Sequence, residues 1–189
     1  MPFYQSKGLI PPKRHTVFMN GDDNLYYEEL VSRAGFTHMY TNLYHLRMPT
    51  RVCEMGEFHP IILKRGGTTH RARHIRTANI KSSGNAISSR IPLFFNPDLI
   101  ISKAHVGDSM DFHYRNGHFD ELFYIQSGKA NFSSNFGSME LLPGDYLVIP
   151  KGVIWKIDIE NNLSCMLLES RGPIEIPNKY RNRFGQLME

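Results

Sequence analysis

The sequence predicts an all-β fold, and three observations support that prediction. Residues 110–152 form short runs rich in β-branched and aromatic side chains, which are typical of strands. Glycine and proline recur between these runs, where a chain that reverses direction needs them. The composition is that of an ordered protein, with 41% hydrophobic residues in a chain of 189 residues. A chain of this length can bury one substantial core, so we expect one main domain.

Residues 1–50 are expected to form an extended N-terminal arm, a short helix and a first strand. Two adjacent prolines near the start favour an extended path for the arm. Residues 25–33 (LYYEELVSR) have apolar side chains at helical spacing and are soon followed by a glycine, which predicts a helix. Residues 38–48 alternate between large apolar and polar side chains, which predicts a strand.

Residues 51–172 are expected to form a β-barrel, with room for one further short helix. Its predicted strands are residues 60–63, 91–95, 99–103, 119–126, 130–136, 146–149, 154–159 and 163–169. Clusters of glycine, proline, asparagine and aspartate predict turns at residues 96–98, 127–129, 137, 141–145, 150–152 and 160–162. Residues 173–189 lose the alternation of strands, and we expect them to be an extended connector.

The charge distribution has one clear asymmetry. The formal net charge is only +4, which by itself does not indicate a nucleic-acid partner. However, seven lysines or arginines and no acid lie between Glu57 and Asp98. Within that stretch, Arg71, Arg73 and Arg76 could guide an anionic substrate or contact nucleic acid. A solvated face or an inter-subunit salt-bridge surface is the simpler interpretation, so we expect no nucleic-acid partner.

The sequence also predicts a soluble, cytoplasmic protein without a membrane partner. Cys53 and Cys165 form no CxxC pattern and no cysteine framework, which fits a reducing compartment. The N-terminus lacks the apolar core of a signal peptide, and no apolar run reaches the roughly 18 residues that span a bilayer. His70 and His74 would be joint metal ligands only on a helix, which the neighbouring glycines disfavour.

Several stretches of the chain, in the same order, resemble the homogentisate 1,2-dioxygenase family. They are MPFYQSKGLIPPKRHT, LYYEELVSRAGF, LYHLRMPT, ARHIRT, IPLFFNPDL, MDFHYRNGHFDELFYIQSG, PGDYLVIPKG and GPIEIPNKYRNRFGQL. The resemblance implies a cupin-type jelly-roll barrel. It also implies a non-haem Fe(II) enzyme that opens the ring of homogentisate with O₂ during tyrosine and phenylalanine breakdown, or acts on a related gentisate-type substrate.

The same resemblance implies that residues 173–189 connect to a further, C-terminal half and that the chemistry lies there, outside this chain. The family's iron ligands and catalytic histidine belong to a second, C-terminal cupin half, and no residue here can be matched to them. We therefore expect an N-terminal scaffold and oligomerisation half that binds no Fe(II) and is inactive alone. Its expected partners are the C-terminal catalytic half and further copies of the chain, contacted through the arm and the barrel surface.

The metal motif of a cupin is only partly present. Glu121 lies seven residues before Gly128, as the glutamate of that motif should. The positions where histidine ligands are expected carry other residues: Tyr114 and Asn116 (or Arg115 and Gly117) before Glu121, and Trp155 in the second half of the motif. His113 and His118 are close by but shifted in register, and a shift of one residue turns a strand side chain to the opposite face.

We therefore assign no catalytic or cofactor-binding residue, and His113, His118 and Glu121 are the only metal-ligand candidates. Two alternatives stay open. The chain could be a stand-alone, non-catalytic cupin that binds a small ligand or a partner. It could also be a small single-barrel metalloenzyme that uses these three residues.

Overall fold

The computed structural model describes residues 19, 21–32, 40–67, 71–182 and 186–188. The chain divides into two compact units, and each is described by itself. The first unit combines Met1–Ile61 with Pro177–Glu189, and the second unit is Ile62–Ile176.

The first unit contains a β-hairpin. Strand β1 (Tyr27–Val31) pairs antiparallel with strand β2 (Thr41–His45). Two polar pairs link the strands: the Asn42 Nδ2 group donates to Glu28 Oε1 at 2.8 Å, and His45 Nε2 lies 2.9 Å from Glu29 Oε2. Cross-strand pairs of this kind stabilise a two-stranded sheet. The strand predicted within residues 38–48 is confirmed by β2.

Two local predictions for the N-terminal part are wrong. The helix predicted at residues 25–33 is replaced by β1, because tyrosine and valine also suit a strand and β2 supplies hydrogen-bond partners from elsewhere in the chain. The strand predicted at residues 60–63 does not form, since no described strand pairs with it. In the described part of the chain, the helical structure is the 3₁₀ turn Thr77–Asn79, and no helix there could cross a membrane.

The second unit is an antiparallel β-barrel of seven strands. These are β3 (Arg90–Phe95), β4 (Leu99–Val106), β5 (Tyr114–Arg115), β6 (Asp120–Ser134), β7 (Gly137–Leu141), β8 (Tyr146–Ile149) and β9 (Ile154–Ser170). The sheet runs in the order β3-β4-β9-β6-β7, while β5 pairs with β9 and β8 pairs with β6. The predicted all-β, cupin-type jelly roll is confirmed, because every pairing is antiparallel and the strand order is non-sequential.

Strands β3, β4 and β8 confirm the predictions at residues 91–95, 99–103 and 146–149. The predicted turn between β3 and β4 is also present. Asn96 Oδ1 accepts hydrogen bonds from the backbone N–H groups of Asp98 at 2.9 Å and Leu99 at 2.7 Å. This is the local side-chain bonding that makes asparagine a turn residue.

Strands β6 and β9 are longer than the sequence predicts. Each was expected to be two strands separated by a turn, at residues 127–129 and 160–162, but both run through without reversing and pair along their length. The turn-forming residues instead produce irregularities in register, opposite each other in the two strands. Gly128 has a φ of 92° there, and Lys129 N–H donates to Asn161 Oδ1 at 2.7 Å. The residues therefore bend a continuous ribbon rather than end a strand.

The core lies between the inner faces of the long strands, where alternate residues point inwards. Its largest members are Trp155, Phe123, Ile125, Ile157, Leu163 and Leu167, all fully buried. The outer face of the same sheet also carries apolar side chains. Tyr146, Phe94 and Val148 are 69%, 47% and 40% exposed, and Tyr124 stacks on Tyr146 with ring centroids 4.7 Å apart.

Candidate functional site

The structure separates the three metal-ligand candidates. Glu121 lies on the inner face of β6 and is 1% exposed, whereas His113 and His118 are exposed to solvent. In the part of the chain that the structure describes, no group of three histidine, cysteine, aspartate or glutamate side chains could hold a metal ion together. Glu121 therefore needs another explanation for its burial.

Glu121 is held by two donors inside the barrel. Its Oε1 atom lies 2.7 Å from Arg90 Nη1, and its Oε2 atom accepts a hydrogen bond from Trp155 Nε1 at 3.1 Å. Both carboxylate oxygens are thus bound to the protein itself. A buried carboxylate needs this arrangement, because an ionised group without partners is costly in an apolar interior.

Arg90 links Glu121 to a second, partly buried carboxylate, that of Glu169. Its Nη1 atom is also 3.2 Å from Glu169 Oε1, and its Nε–H donates to the Ala86 carbonyl at 2.9 Å. The guanidinium carbon lies 5.7 Å and 5.5 Å from the ring centroids of Tyr114 and Phe123. With its side chain only 10% exposed, Arg90 is a fixed internal cation between two carboxylates.

Asn116 connects this cluster to the loop before β6. Its Nδ2 group donates to Glu169 Oε1 at 3.2 Å, and its Oδ1 atom accepts from the N–H groups of His118 and Phe119, both at 3.0 Å. Its carbonyl accepts from Gly152 N–H at 2.7 Å. Asn116 therefore links the loop before β6 to the Gly152 turn and to Glu169 through hydrogen bonds. It does so at a position where a cupin would be expected to have a histidine ligand.

Trp155 and Tyr114 occupy the other two expected ligand positions, and both face the same cluster. Trp155 is fully buried, and its ring meets that of Tyr114 edge to face, with centroids 5.4 Å apart. Aromatic pairs prefer this geometry. The three positions of the metal motif thus lie close together in space. They contribute ring packing and hydrogen bonds instead of metal ligands.

The electrostatics of the cluster follow from one cation facing two carboxylates. Burial raises the pKa of Glu169 above its ordinary value, which Arg90 counteracts and the negative charge of Glu121 reinforces. Burial also raises the pKa of Tyr114, with a further contribution from Glu121. We call Arg90, Glu121, Glu169, Asn116 and Trp155 the ion cluster. Its residue types do not fit an iron site, because Arg90 already forms ion pairs with both carboxylates and, among the described residues, no histidine joins them in a group that could hold a metal.

Sequence reasoning found Glu121 and the three motif positions but missed Arg90 and Glu169. The signal for Glu169 was available, because it has the same parity along β9 as the inward-facing Cys165 and Leu167. Arg90 gave a weaker signal as a single charge at the start of an apolar strand. Its partner Glu121 is 31 residues away in sequence, so local pattern alone could not reveal the pair.

Two further groups lie outside the ion cluster. Lys103 is almost fully buried, and its Nζ atom donates to Ser164 Oγ at 2.6 Å and to the Gln126 side-chain oxygen. Burial lowers its pKa. Cys165 is buried as well, and burial raises the pKa of its thiol to about 11, so it is protonated at neutral pH. Cys53 is exposed, and both cysteines are free thiols.

The three arginines Arg71, Arg73 and Arg76 lie on the surface of the second unit. Arg71 and Arg73 line a cleft beside β3, whereas Arg76 is exposed outside it. His70 lies outside the described residues, and His74 is on an exposed stretch without a helix, so the pairing that a joint ligand role requires does not arise there.

Comparison with known proteins relates the sequence to dioxygenases. No family model matches the chain. A protein of Saccharolobus solfataricus named "Putative dioxygenase" is 41% identical over 192 aligned residues, which include all of this chain and 49% of that protein. The homogentisate 1,2-dioxygenases of Nitrobacter hamburgensis and Bradyrhizobium diazoefficiens are 33% and 31% identical over 75 residues, or 34% of this chain and 17% of each enzyme. The chain thus spans about half the length of the first relative and a smaller share of the other two.

Solved cupin structures align with part of the chain. A cupin superfamily protein from Desulfitobacterium hafniense aligns with 55% of this chain and 94% of its own length, at 18% identity and a TM-score of 0.45. A cupin-2 domain protein from Shewanella frigidimarina covers 44% of this chain and 80% of its own, at 23% identity and a TM-score of 0.40. Because these TM-scores are low, the fold assignment rests on the strand order and pairing described above.

Proposed function

We propose that this chain supplies the metal-free structural barrel of a non-haem Fe(II) dioxygenase of the homogentisate type. One observation carries the proposal: Arg90 forms ion pairs with Glu121 and Glu169 at the place where a cupin would hold its metal. The Saccharolobus solfataricus relative supports it, because its similarity covers this whole chain and only 49% of its own length. That relative therefore has room for a second barrel that could hold the iron.

In this proposal, the residues described here shape and stabilise the barrel and make no contact with the reacting atoms. Bound Fe(II) would supply the chemistry, which is the activation of O₂ beside an aromatic substrate. The ion cluster keeps the carboxylates of this barrel away from such an ion. The exposed apolar side chains on the outer face of the sheet, including Tyr146 and Val148, would serve contacts with the catalytic half or with further copies of the chain.

The first test is the iron content and activity of the purified chain. After anaerobic incubation with Fe(II) and desalting, we expect no stoichiometric iron and no oxygen uptake when homogentisate is added. Stoichiometric iron with turnover would contradict the proposal. In that event, His113→Ala combined with His118→Ala would show whether these histidines hold the metal.

A second test asks whether the barrel supports a catalytic partner. The part of the Saccharolobus solfataricus relative that this chain does not cover is produced separately, loaded with Fe(II) and assayed for homogentisate-dependent oxygen uptake. We expect higher uptake when this chain is added, and no increase from an unrelated protein of the same size. If the iron-loaded partner takes up oxygen at the same rate with and without this chain, the alternative of a stand-alone, non-catalytic cupin would be favoured.

A further inference from the structure

The second unit has a surface cleft of about 900 Å³ that the proposed function does not use. One wall is formed by residues 62–67 together with Arg71, Arg73 and Ile75, and the other by Pro92–Phe95 of β3. All of these residues belong to the same compact unit as the barrel. The volume is in the range of clefts that bind drug-sized ligands or short peptides.

The cleft is strongly cationic. Its described lining includes Lys64, Arg65, Arg71 and Arg73 and no acidic residue. None of these four side chains is ion-paired with an acid in the described part of the chain. Arg73 is oriented by a hydrogen bond from Nη2 to the Gly66 carbonyl at 3.0 Å. Clustered cations without counter-charges raise the local concentration of anions.

Exposed apolar surface adjoins these charges. Phe94 is 47% exposed, Ile62 is 71% exposed and Ile75 is 37% exposed. A solvated basic face would not need such side chains between its charges. A partner that combines carboxylates with apolar groups would use both features.

The wall formed by β3 also favours an extended partner. β3 is the edge of the sheet, because among the described strands only β4 pairs with it. Leu93 lies at a break in register with β4, and Pro92 has no N–H group to offer, so this edge is a poor template for non-specific strand pairing. Side-chain contacts must then provide the selectivity. Four residues of strand span about 13 Å, which matches a short extended peptide better than a single small acid.

We propose that this cleft binds an extended, acidic polypeptide segment in which carboxylate and apolar side chains alternate. In an extended segment, successive side chains point to opposite faces. The carboxylates would then lie on the arginines and lysines of one wall, and the apolar side chains on Phe94 of the other wall. This interaction surface is separate from the ion cluster and does not depend on the dioxygenase assignment.

Isothermal titration calorimetry with two synthetic peptides tests the proposal. The probe is an acetylated, amidated hexapeptide of alternating glutamate and valine, and its counterpart has lysine in place of glutamate. We expect binding of the glutamate peptide only, weakening as salt is added because the contacts are exposed ion pairs. Equal binding of both peptides, or binding of neither, would overturn the proposal.

Two double variants locate the binding site. Arg71→Gln with Arg73→Gln should weaken binding by about tenfold, since each lost exposed charge contact is worth up to about 1 kcal/mol. Arg76→Gln with Lys81→Gln removes the same net charge from the same acid-free stretch but outside the cleft, and it should leave affinity nearly unchanged. Equal losses in the two variants would mean a general charge effect and would contradict the assignment. Circular dichroism checks that both variants are folded.

Competition experiments separate the acidic segment from other anions. Benzoate represents a small aromatic acid, and a single-stranded oligonucleotide represents nucleic acid. We expect neither to displace the glutamate peptide at equal concentration. Displacement by benzoate would assign the cleft to small acids instead, and displacement by the oligonucleotide would assign it to nucleic acid. Either result would overturn the proposal.

Discussion

Arg90 brings a permanent positive charge into a barrel whose interior is otherwise mostly apolar. It forms ion pairs with both Glu121 and Glu169, so the cation of this site is part of the chain and cannot exchange with solvent. A buried ion pair adds little stability compared with an apolar core of the same shape, but losing one partner is costly. The stability of the barrel should therefore depend on Arg90 more than on surface charges.

Arg90→Ala should lower the free energy of unfolding by about 3–5 kcal/mol, because it leaves the buried Glu121 and the partly buried Glu169 without a cation. Lys129→Ala is the matched control, since Lys129 also bridges two glutamates, Glu140 at 2.6 Å and Glu160 at 3.1 Å, but on the exposed surface. The control should change stability much less. Urea denaturation followed by circular dichroism measures both, and similar losses would refute the buried role of Arg90.

Glu169 should give the barrel a specific pH dependence. Its folded-state pKa is raised above the ordinary value of 4.5, so the folded state binds this proton more tightly than the unfolded state does. Its contribution to stability is therefore greatest below pH 4.5 and is lost as the pH rises through the raised pKa. Glu169→Gln should remove this part of the pH dependence of the free energy of unfolding. Urea denaturation across that pH range gives the difference between the two proteins, and a flat difference would contradict the expectation.

At the level of elements, the paired strands β6 and β9 form the frame that carries the ion cluster. Glu121 and Glu169 are direct cross-strand partners in this ribbon. Further along, the ribbon bends where Gly128 approaches Asn162 so closely that a Cβ atom on Gly128 would lie 2.2 Å from the Asn162 carbonyl oxygen. Only glycine fits this close approach.

Gly128→Ala and Gly144→Ala separate backbone strain from steric clash. Both glycines have positive φ, 92° and 97°, so each substitution should cost about 1–2 kcal/mol through the backbone conformation. Only Gly128 adds a clash, because nothing lies within 4 Å of a Cβ at Gly144. Gly128→Ala should therefore lose about 1–3 kcal/mol more, the usual cost of overpacking. Thermal denaturation compares the stabilities of the two variants. Equal losses of stability would show that the ribbon can shift at Gly128 to make room for the added methyl group.

The same ribbon shows why sequence patterns predicted the positions of strands but not where β6 and β9 continue without a turn. The apolar alternation around Phe123 and Ile157 predicts strand correctly. However, Gly128 and Asn162 are equally suited to a turn and to a bulge, and the choice depends on the pairing of distant residues. The prediction of a helix at residues 25–33 was wrong for the same reason. This segment forms a strand because it pairs with the distant strand Thr41–His45.

For the molecule as a whole, the sequence predicts the class of fold better than the content of its interior. The glycines and prolines that bound the barrel strands are local features, so the all-β class could be derived from them, whereas the jelly roll was implied by the resemblance to a family. The presence of Tyr114, Asn116 and Trp155 in place of ligand histidines could also be recognised from the sequence. The role of Arg90 was not, because it depends on how β3 lies against β6 and β9 across the barrel.

Trp155 is the single tryptophan of the chain. It is fully buried, and its indole N–H is bound to Glu121 within the ion cluster. Every tryptophan photon that this protein emits therefore originates beside the ion cluster. A fluorescence measurement selective for tryptophan is thus a spectroscopic probe of the barrel interior, while the hairpin of the first unit contributes no tryptophan signal to it.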